Sequence, residues 1–233
     1  MVSIILAGGL GTRLSGVIDD IPKPMAPIGE RPFLEILLDY LNDSGFEKVI
    51  LSVGHKSKKI RDYFGKRYKN LNLIYSIEAK PLGTGGAIKQ SLDLCDQDHA
   101  YVLNGDTFLD INYKDLESIW VKHKIPVMIS RHVEDASRYG SLEIRNRLLM
   151  KFNEKKEIGP GLINAGCYIL PKQVMNQFEY SQKFSFEEHC IEKICTNNKF
   201  LVFEHDGFFI DIGTPEDYQS AHQRLTPFLR DRF

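Results

Sequence analysis

Cysteine is scarce in this chain: Cys95, Cys167, Cys190 and Cys195 are all it has. No two of them form a C-x-x-C pair, and their spacing fits no common zinc pattern. A disulfide scaffold or zinc module is therefore not expected, and neutral thiols in a reducing compartment are. An excess of charge of one sign is missing too. Thirty Lys and Arg stand against 31 Asp and Glu, a formal net charge of -1. Bulk electrostatics thus calls for neither nucleic acid nor an anionic membrane as partner. The N-terminus has no basic stretch followed by an apolar one, and no apolar run approaches the ~20 residues that span a bilayer. A cytoplasmic protein is expected. Internal repeats and low-complexity linkers are absent, and the seven histidines are scattered, so no histidine-rich metal site stands out. What remains is ordinary: 42% hydrophobic and 26% charged over 233 residues, enough to bury the core of one α/β domain.

Short apolar runs alternate with helical patterns. Val2 to Ala7 reads as a buried strand. Pro32 to Leu41 carries a helical stripe through Phe33, Ile36, Leu37 and Tyr40, and Gly45 follows as a stop. Lys48 to Val53 is a strand, Lys56 to Tyr68 a basic helix, Leu73 to Ile77 a strand, Thr84 to Leu94 a helix and Ala100 to Leu103 a strand. Such alternation implies a mixed, mostly parallel sheet flanked by helices, with ligands at the carboxyl ends of its strands. The functional loops should follow Ala7, Ile77 and Leu103. Past about residue 125 the pattern loosens. Pro126 to Ser130, Ser141 to Ile144, Gly161 to Leu170 and Phe200 to Phe203 read as strands, and Pro215 to Leu225 as a terminal helix.

The first strand runs into Gly8-Gly9-Leu10-Gly11-Thr12-Arg13. Clustered glycines let backbone N–H groups converge on phosphate oxygens. The loop is not a Walker A motif, because no G-K-[ST] follows at the required spacing. It is not a dinucleotide fingerprint either, since the third glycine position is Leu14. Arg13 offers a planar fork for phosphate, and Lys23, stiffened by Pro22 and Pro24, offers a point charge. Two cations beside one glycine loop can hold a triphosphate and neutralise a leaving pyrophosphate.

LAGGLGTRL followed by IPKPMAPI resembles the signature of the sugar-1-phosphate nucleotidyltransferases. PLGTGGAI and LNGDTF extend the resemblance, which runs from Ile4 to Gly213-Thr214-Pro215 and is nearest to the D-glycero-D-manno-heptose 1-phosphate guanylyltransferases. It implies a Rossmann-like (GT-A-like) fold as one domain, 1–233, with a nucleotide-binding half to about residue 125 and a sugar-binding half beyond. The substrates implied are a nucleoside triphosphate and a sugar 1-phosphate, with Mg²⁺ as cofactor. Nucleic acid and membrane are not implied as partners, and homo-oligomerisation is left open.

The resemblance also implies roles. Leu6, Ala7, Gly8, Gly9, Gly11, Thr12, Arg13, Glu78, Pro81, Gly83, Thr84, Asn104 and Gly105 would bind the nucleotide. Arg13, Lys23 and Asp106 would carry catalysis, with Asp106 and Asp211 on the metal. Tyr139, Gly140, Glu154, Lys155, Asn164 and Gly166 would bind the sugar phosphate, with Lys156 competing for the lysine role. Thr84 could cap the helix that follows it. Glu78 separates the bases: a carboxylate only accepts hydrogen bonds, and guanine offers it two adjacent donors, N1–H and the 2-amino group, where adenine offers none on the corresponding edge. GTP is the expected nucleotide. Mannose, glucose or N-acetylmuramate 1-phosphate enzymes share most of these motifs, and a non-catalytic sugar-nucleotide sensor is the alternative of another class. Retention of Arg13, Lys23, Asp106 and Asp211 together favours the enzyme.

Overall fold

The computed structural model describes residues 1–9, 20–137, 139–153, 159–179, 183–197 and 199–230. Strand β1 (Val2–Leu6) is followed by a small ribbon, β2 (Pro27–Ile28) and β3 (Arg31–Pro32), and by helix α1 (Phe33–Asp43). Then come β4 (Lys48–Val53), α2 (Ser57–Phe64), β5 (Arg67–Tyr68), β6 (Leu71–Ile77), α3 (Gly83–Asp93) and β7 (His99–Asn104). The rest comprises β8 (Thr107–Leu109), α4 (Tyr113–His123), β9 (Val127–Val133), β10 (Ser141–Arg145), β11 (Leu148–Asn153), β12 (Gly161–Pro171), α5 (Ile191–Asn197), β13 (Leu201–Glu204), β14 (Phe209–Asp211) and α6 (Pro215–Arg230).

Ten strands form one sheet in the order β10-β11-β13-β9-β12-β7-β1-β4-β6-β5. It is mixed, as expected, but not mostly parallel: among the described residues four of its nine neighbouring pairings are parallel. The parallel pairings are β7-β1-β4-β6 and β13-β9, and the remaining ones are antiparallel. Parallel character thus belongs mainly to the first half, where helices cross between strands. Of the later strands, β10 and β11 are joined by a short turn and pair antiparallel, whereas β12 and β13 are separated by α5. One expected helix is shorter than its sequence suggested. The basic segment from Lys56 stops at Phe64, because Gly65 turns the chain at a φ of +61°. Arg67 and Tyr68 then return as an edge strand against β6.

The apolar runs are continuous because both faces of the sheet are covered. Ile5, Val49, Leu51, Tyr101 and Leu103 face the core built with α1, α4 and α6. Their neighbours Ile4, Ile50, Ala100 and Val102 face the opposite core, with Ile88 and Leu92 of α3 and Ile191 and Ile194 of α5. Period-2 alternation therefore survives in the strands, sorting side chains between two apolar layers rather than between core and water.

Two local devices tie peripheral segments to the helices. The first ties the ribbon to α1. Asp39 is only 8% exposed and accepts from Arg31, from Lys69 at 2.6 Å and from the Tyr68 hydroxyl at 2.9 Å. Burial alone would raise the Asp39 carboxyl, but the hydrogen bonds from Lys69, Arg31 and Tyr68 outweigh it and hold it below its ordinary value of 3.8. Stability from a carboxylate depressed in this way is present above 3.8 and is lost as the pH falls through the lower folded value. Asp39→Asn should cost about 1–3 kcal/mol near neutral pH. Urea unfolding should show that gap shrinking in acid; a gap independent of pH would contradict the role given to the charge.

The second device is a strap laid over the start of α3. The Phe184 N–H donates to the Leu82 carbonyl at 3.0 Å, and the Gly85 N–H donates to the Phe184 carbonyl at 3.0 Å. Gly83 holds a φ of +75°, and a Cβ there would lie 2.3 Å from the Phe184 carbonyl oxygen. Gly83→Ala should therefore destabilise the protein by about 1–3 kcal/mol through backbone strain and the clash. An unfolding midpoint equal to the parent's would show that the strap does not press on this glycine.

Candidate active site

Strands β1, β4, β6 and β7 end side by side, and a cavity of about 370 Å³ opens where they end. Leu6, Gly8 and Gly9 after β1, Ser52 of β4, Glu78 after β6, and Asn104, Gly105 and Asp106 at the end of β7 line it. Pro81, Gly83 and Thr84 close one side, and Lys23 another. The three loops expected from the strand ends thus meet in one place. Gly8 lets the loop pass close to Glu78: a Cβ there would lie 2.4 Å from an oxygen of the Glu78 carboxylate, which would have to move.

Lys23 sits in a 3₁₀ turn, Lys23–Met25, closed by the Met25 N–H to the Pro22 carbonyl at 2.7 Å and the Ala26 N–H to the Lys23 carbonyl at 3.0 Å. Its ammonium is ion-paired with Asp106, and its side chain is only 15% exposed. The cation is therefore delivered to the end of β7 from a rigid, proline-flanked turn.

Asp106 and Asp211 are brought together by main chain. β8 and β14 pair antiparallel with Thr107 opposite Asp211, and the Ile212 N–H donates to the Asp106 carbonyl at 2.9 Å. One Asp211 oxygen accepts from the Tyr139 hydroxyl at 2.6 Å and the other from the Gly213 N–H at 2.8 Å. Burial pushes the Asp211 carboxyl up, the charges of Asp217 and Asp106 add to that, and the bonds from Tyr139 and Gly213 oppose it. Buried carboxylates that repel one another gain most from a bound cation. Among the described residues no group of three or more His, Cys, Asp or Glu forms a metal cluster. The donor set is two carboxylates, which suits a hard ion such as Mg²⁺ that takes its other ligands from phosphates and water.

A second cavity, of about 530 Å³, lies on the far side of Asn104 and Asp106, which line both. Tyr139, Asn164, Gly166, Phe209 and Asp211 form its walls. Asn164 is tied internally: its Nδ2 donates to the Tyr168 hydroxyl, and its Oδ1 accepts the Gly166 N–H at 3.0 Å. Gly166 sits at a φ of +69° against the Asn104 amide. The bond to Gly166 holds the turn open toward the cavity.

Most residues singled out in the sequence line one cavity or the other. Ala7 does not; it is 1% exposed and belongs to the core. Gly140 lines neither, and a Cβ on it would strike the Phe152 ring. Thr84 does not cap α3. That helix begins at Gly83, so Thr84 already lies in its first turn, with its hydroxyl turned to the strap. There it donates to Glu187 at 2.8 Å and accepts the Phe186 N–H at 2.8 Å. Gly11, Thr12, Arg13, Glu154, Lys155 and Lys156 lie outside the described residues.

Sequence reasoning missed Ser52, Lys183 and Glu187, all on the first cavity. Glu187 also takes the Ser185 hydroxyl at 3.0 Å and the hydroxyl of the buried Tyr168 at 3.4 Å. A hydrogen-bonded chain therefore runs from Thr84 through Glu187 and Tyr168 to Asn164, from one cavity to the other. The available signal was Ser185 three residues before Glu188, a cap that the structure shows with the Glu188 N–H donating to Ser185 at 3.2 Å.

Comparison with known proteins agrees with this geometry. The nucleotidyl transferase family model matches residues 2–227. The chain is 45% identical over 219 residues to the D-glycero-alpha-D-manno-heptose 1-phosphate guanylyltransferase of Campylobacter jejuni, covering 94% of this chain and 97% of that one. It is 40% identical over 230 residues to the enzyme of the same name from Aneurinibacillus thermoaerophilus, covering 98% and 100%. The crystal structure of HddC from Yersinia pseudotuberculosis complexed with GMP-PN superposes with a TM-score of 0.85 at 39% identity, over 96% of this chain and 99% of the other. The resemblance read from the glycine loops and strand-end aspartates is borne out: the chain belongs to the nucleotidyl transferase family.

Proposed function

We propose that this protein transfers the guanylyl group of GTP to D-glycero-α-D-manno-heptose 1-phosphate, giving a GDP-heptose and pyrophosphate. The observation that carries the reading is the meeting of Lys23, Asp106 and Asp211 at the boundary of two cavities that share Asn104 and Asp106. The names of the full-length relatives supply the nucleotide and the sugar. GTP would occupy the cavity at the strand ends, and the sugar phosphate the one bounded by Tyr139, Asn164 and Gly166. The chain is then one domain, with a nucleotide half to about residue 125 and a sugar half beyond.

An oxygen of the sugar phosphate attacks the α-phosphorus of GTP in line. The new P–O bond forms as the bond to the β-phosphate oxygen breaks, and pyrophosphate leaves. The nucleophile is anionic near neutral pH, so no general base is required. Positioning and charge neutralisation supply the rate. Mg²⁺ held by Asp106 and Asp211 would neutralise phosphate charge as the α-phosphorus is attacked. Lys23 lies where it can exchange its partner Asp106 for phosphate oxygens, and Arg13 would serve the same triphosphate. The guanine reading rests on Glu78. One of its oxygens accepts the Leu82 N–H at 2.9 Å, and the other lies 3.4 Å from the Ser52 hydroxyl. Each carboxylate oxygen has further lone-pair capacity for a base. A sensor role is the weaker reading, because binding alone does not call for paired aspartates at a phosphate site.

Pyrophosphate release from the four nucleoside triphosphates against heptose, mannose and glucose 1-phosphates tests the reading directly. GTP with the heptose should give the highest kcat/KM, and no release from any pair would leave the sensor. Asp106→Asn should lower kcat by about two orders of magnitude. Glu78→Gln should reduce the preference for GTP over ATP. An equal loss with both nucleotides would assign Glu78 to holding Leu82 rather than to reading guanine.

A further inference from the structure

Beside the sugar cavity lies a third, of about 580 Å³, which shares Tyr139, Phe209 and Asp211 with it. Tyr139, Phe209 and Asp211 thus border both cavities, and a substituent that reaches past them from the sugar cavity would enter this one. The added walls carry both signs of charge, Arg131 and Arg224 against Asp135 and Asp217. Mixed donors and acceptors over aromatic faces suit a neutral polyol better than an anion or a metal.

Arg131, on β9, is the notable wall residue. It is partly buried. Its guanidinium donates to the Gly207 carbonyl and lies 5.4 Å from the centre of the Phe209 ring. Among the described residues it has no ion pair with a carboxylate within 4.0 Å. Burial disfavours its charge and Arg224 adds repulsion, against attraction from Asp206. A guanidinium has five N–H donors in a planar fork and keeps its proton. A partly desolvated fork with donors to spare gains from a ligand that presents two neighbouring oxygens.

We infer that Arg131 reads the exocyclic arm of the sugar, pairing its fork with the vicinal C6 and C7 hydroxyls that a heptose carries and a hexose lacks. The inference rests on the function proposed above. The arm of a heptose is CH(OH)–CH₂OH, and two vicinal hydroxyls can accept two parallel N–H bonds. Mannose ends in CH₂OH and presents a single hydroxyl oxygen, which cannot span the two arms of the fork. A site built around a substrate hydroxyl discriminates against the analogue without it, and partial exposure to water limits the factor.

The test is kcat/KM for the heptose 1-phosphate, together with the inhibition constant of mannose 1-phosphate as its competitor, in the parent, Arg131→Met and Arg131→Lys. Arg131→Met should lower the heptose value by about 10- to 100-fold, and the mannose constant should move by no more than about threefold. Arg131→Lys, a point charge without the fork, should fall between parent and Met. Equal losses for both sugars would assign Arg131 to holding Gly207, and an unmoved ratio would remove it from recognition; either overturns the inference. A parent enzyme that does not turn over the heptose 1-phosphate with GTP would overturn the functional reading as well, which separates the two failures.

Discussion

Everything at the site depends on two aspartates that the chain separates by about a hundred residues and a main-chain ladder rejoins. Thr107 opposite Asp211, and the Ile212 N–H on the Asp106 carbonyl, fix their separation without relying on either side chain. Carboxylates close together in a partly buried site are costly, and burial first, then the charges of Asp217 and Asp106, push the Asp211 carboxyl up. Lys23 relieves part of that cost at Asp106. A divalent ion and the phosphates it brings would relieve more. Under the function proposed above, like charges collected in this way prepare the site for a cation and its phosphates before substrate arrives.

The two-layered core makes that preparation possible. Most side chains of β1, β4 and β7 face one apolar layer or the other. The carboxyl ends of β1, β4, β6 and β7 form a rim that carries Leu6, Ser52, Glu78 and Asn104 of the first cavity, with Gly8, Gly9 and Asp106 two or three residues beyond. On the opposite wall the strap from Phe184 to Glu187 is tied to Leu82, Thr84 and Gly85 by main chain and hydroxyl. Through Tyr168 it reaches Asn164, so walls of the first and second cavities share one hydrogen-bonded support.

Legibility in the sequence followed a physical divide. Gly8, Lys23, Glu78, Asp106 and Asp211 could be read because each sits in or beside a glycine- or proline-marked turn, most of them at the end of an apolar run, where strand ends and turn chemistry write themselves into local composition. Glu187 and Lys183 could not, since their place is set by packing a later segment over Gly83 and Gly85. The same contact explains the Thr84 error, because its hydroxyl is claimed by a partner 103 residues away. The helix from Lys56 was drawn too long because the pairing of Arg67 with Asn72 leaves no helical or strand period in so short a piece. Arg131 was invisible for a different reason. It is a polar residue near the end of an apolar strand, ordinary in composition, and it becomes notable only when Gly207 and Phe209 are seen around it.

The central claim is that Asp106 and Asp211 hold one divalent ion between them. Crystals grown with Mn²⁺ and the GDP-sugar product, measured at the manganese absorption edge, locate that ion directly. A single anomalous peak within coordination distance of both carboxylates, about 2.0–2.3 Å, is the expected result, lost in Asp211→Asn. A peak bound to phosphate alone, or one that persists unmoved in the variant, would contradict it.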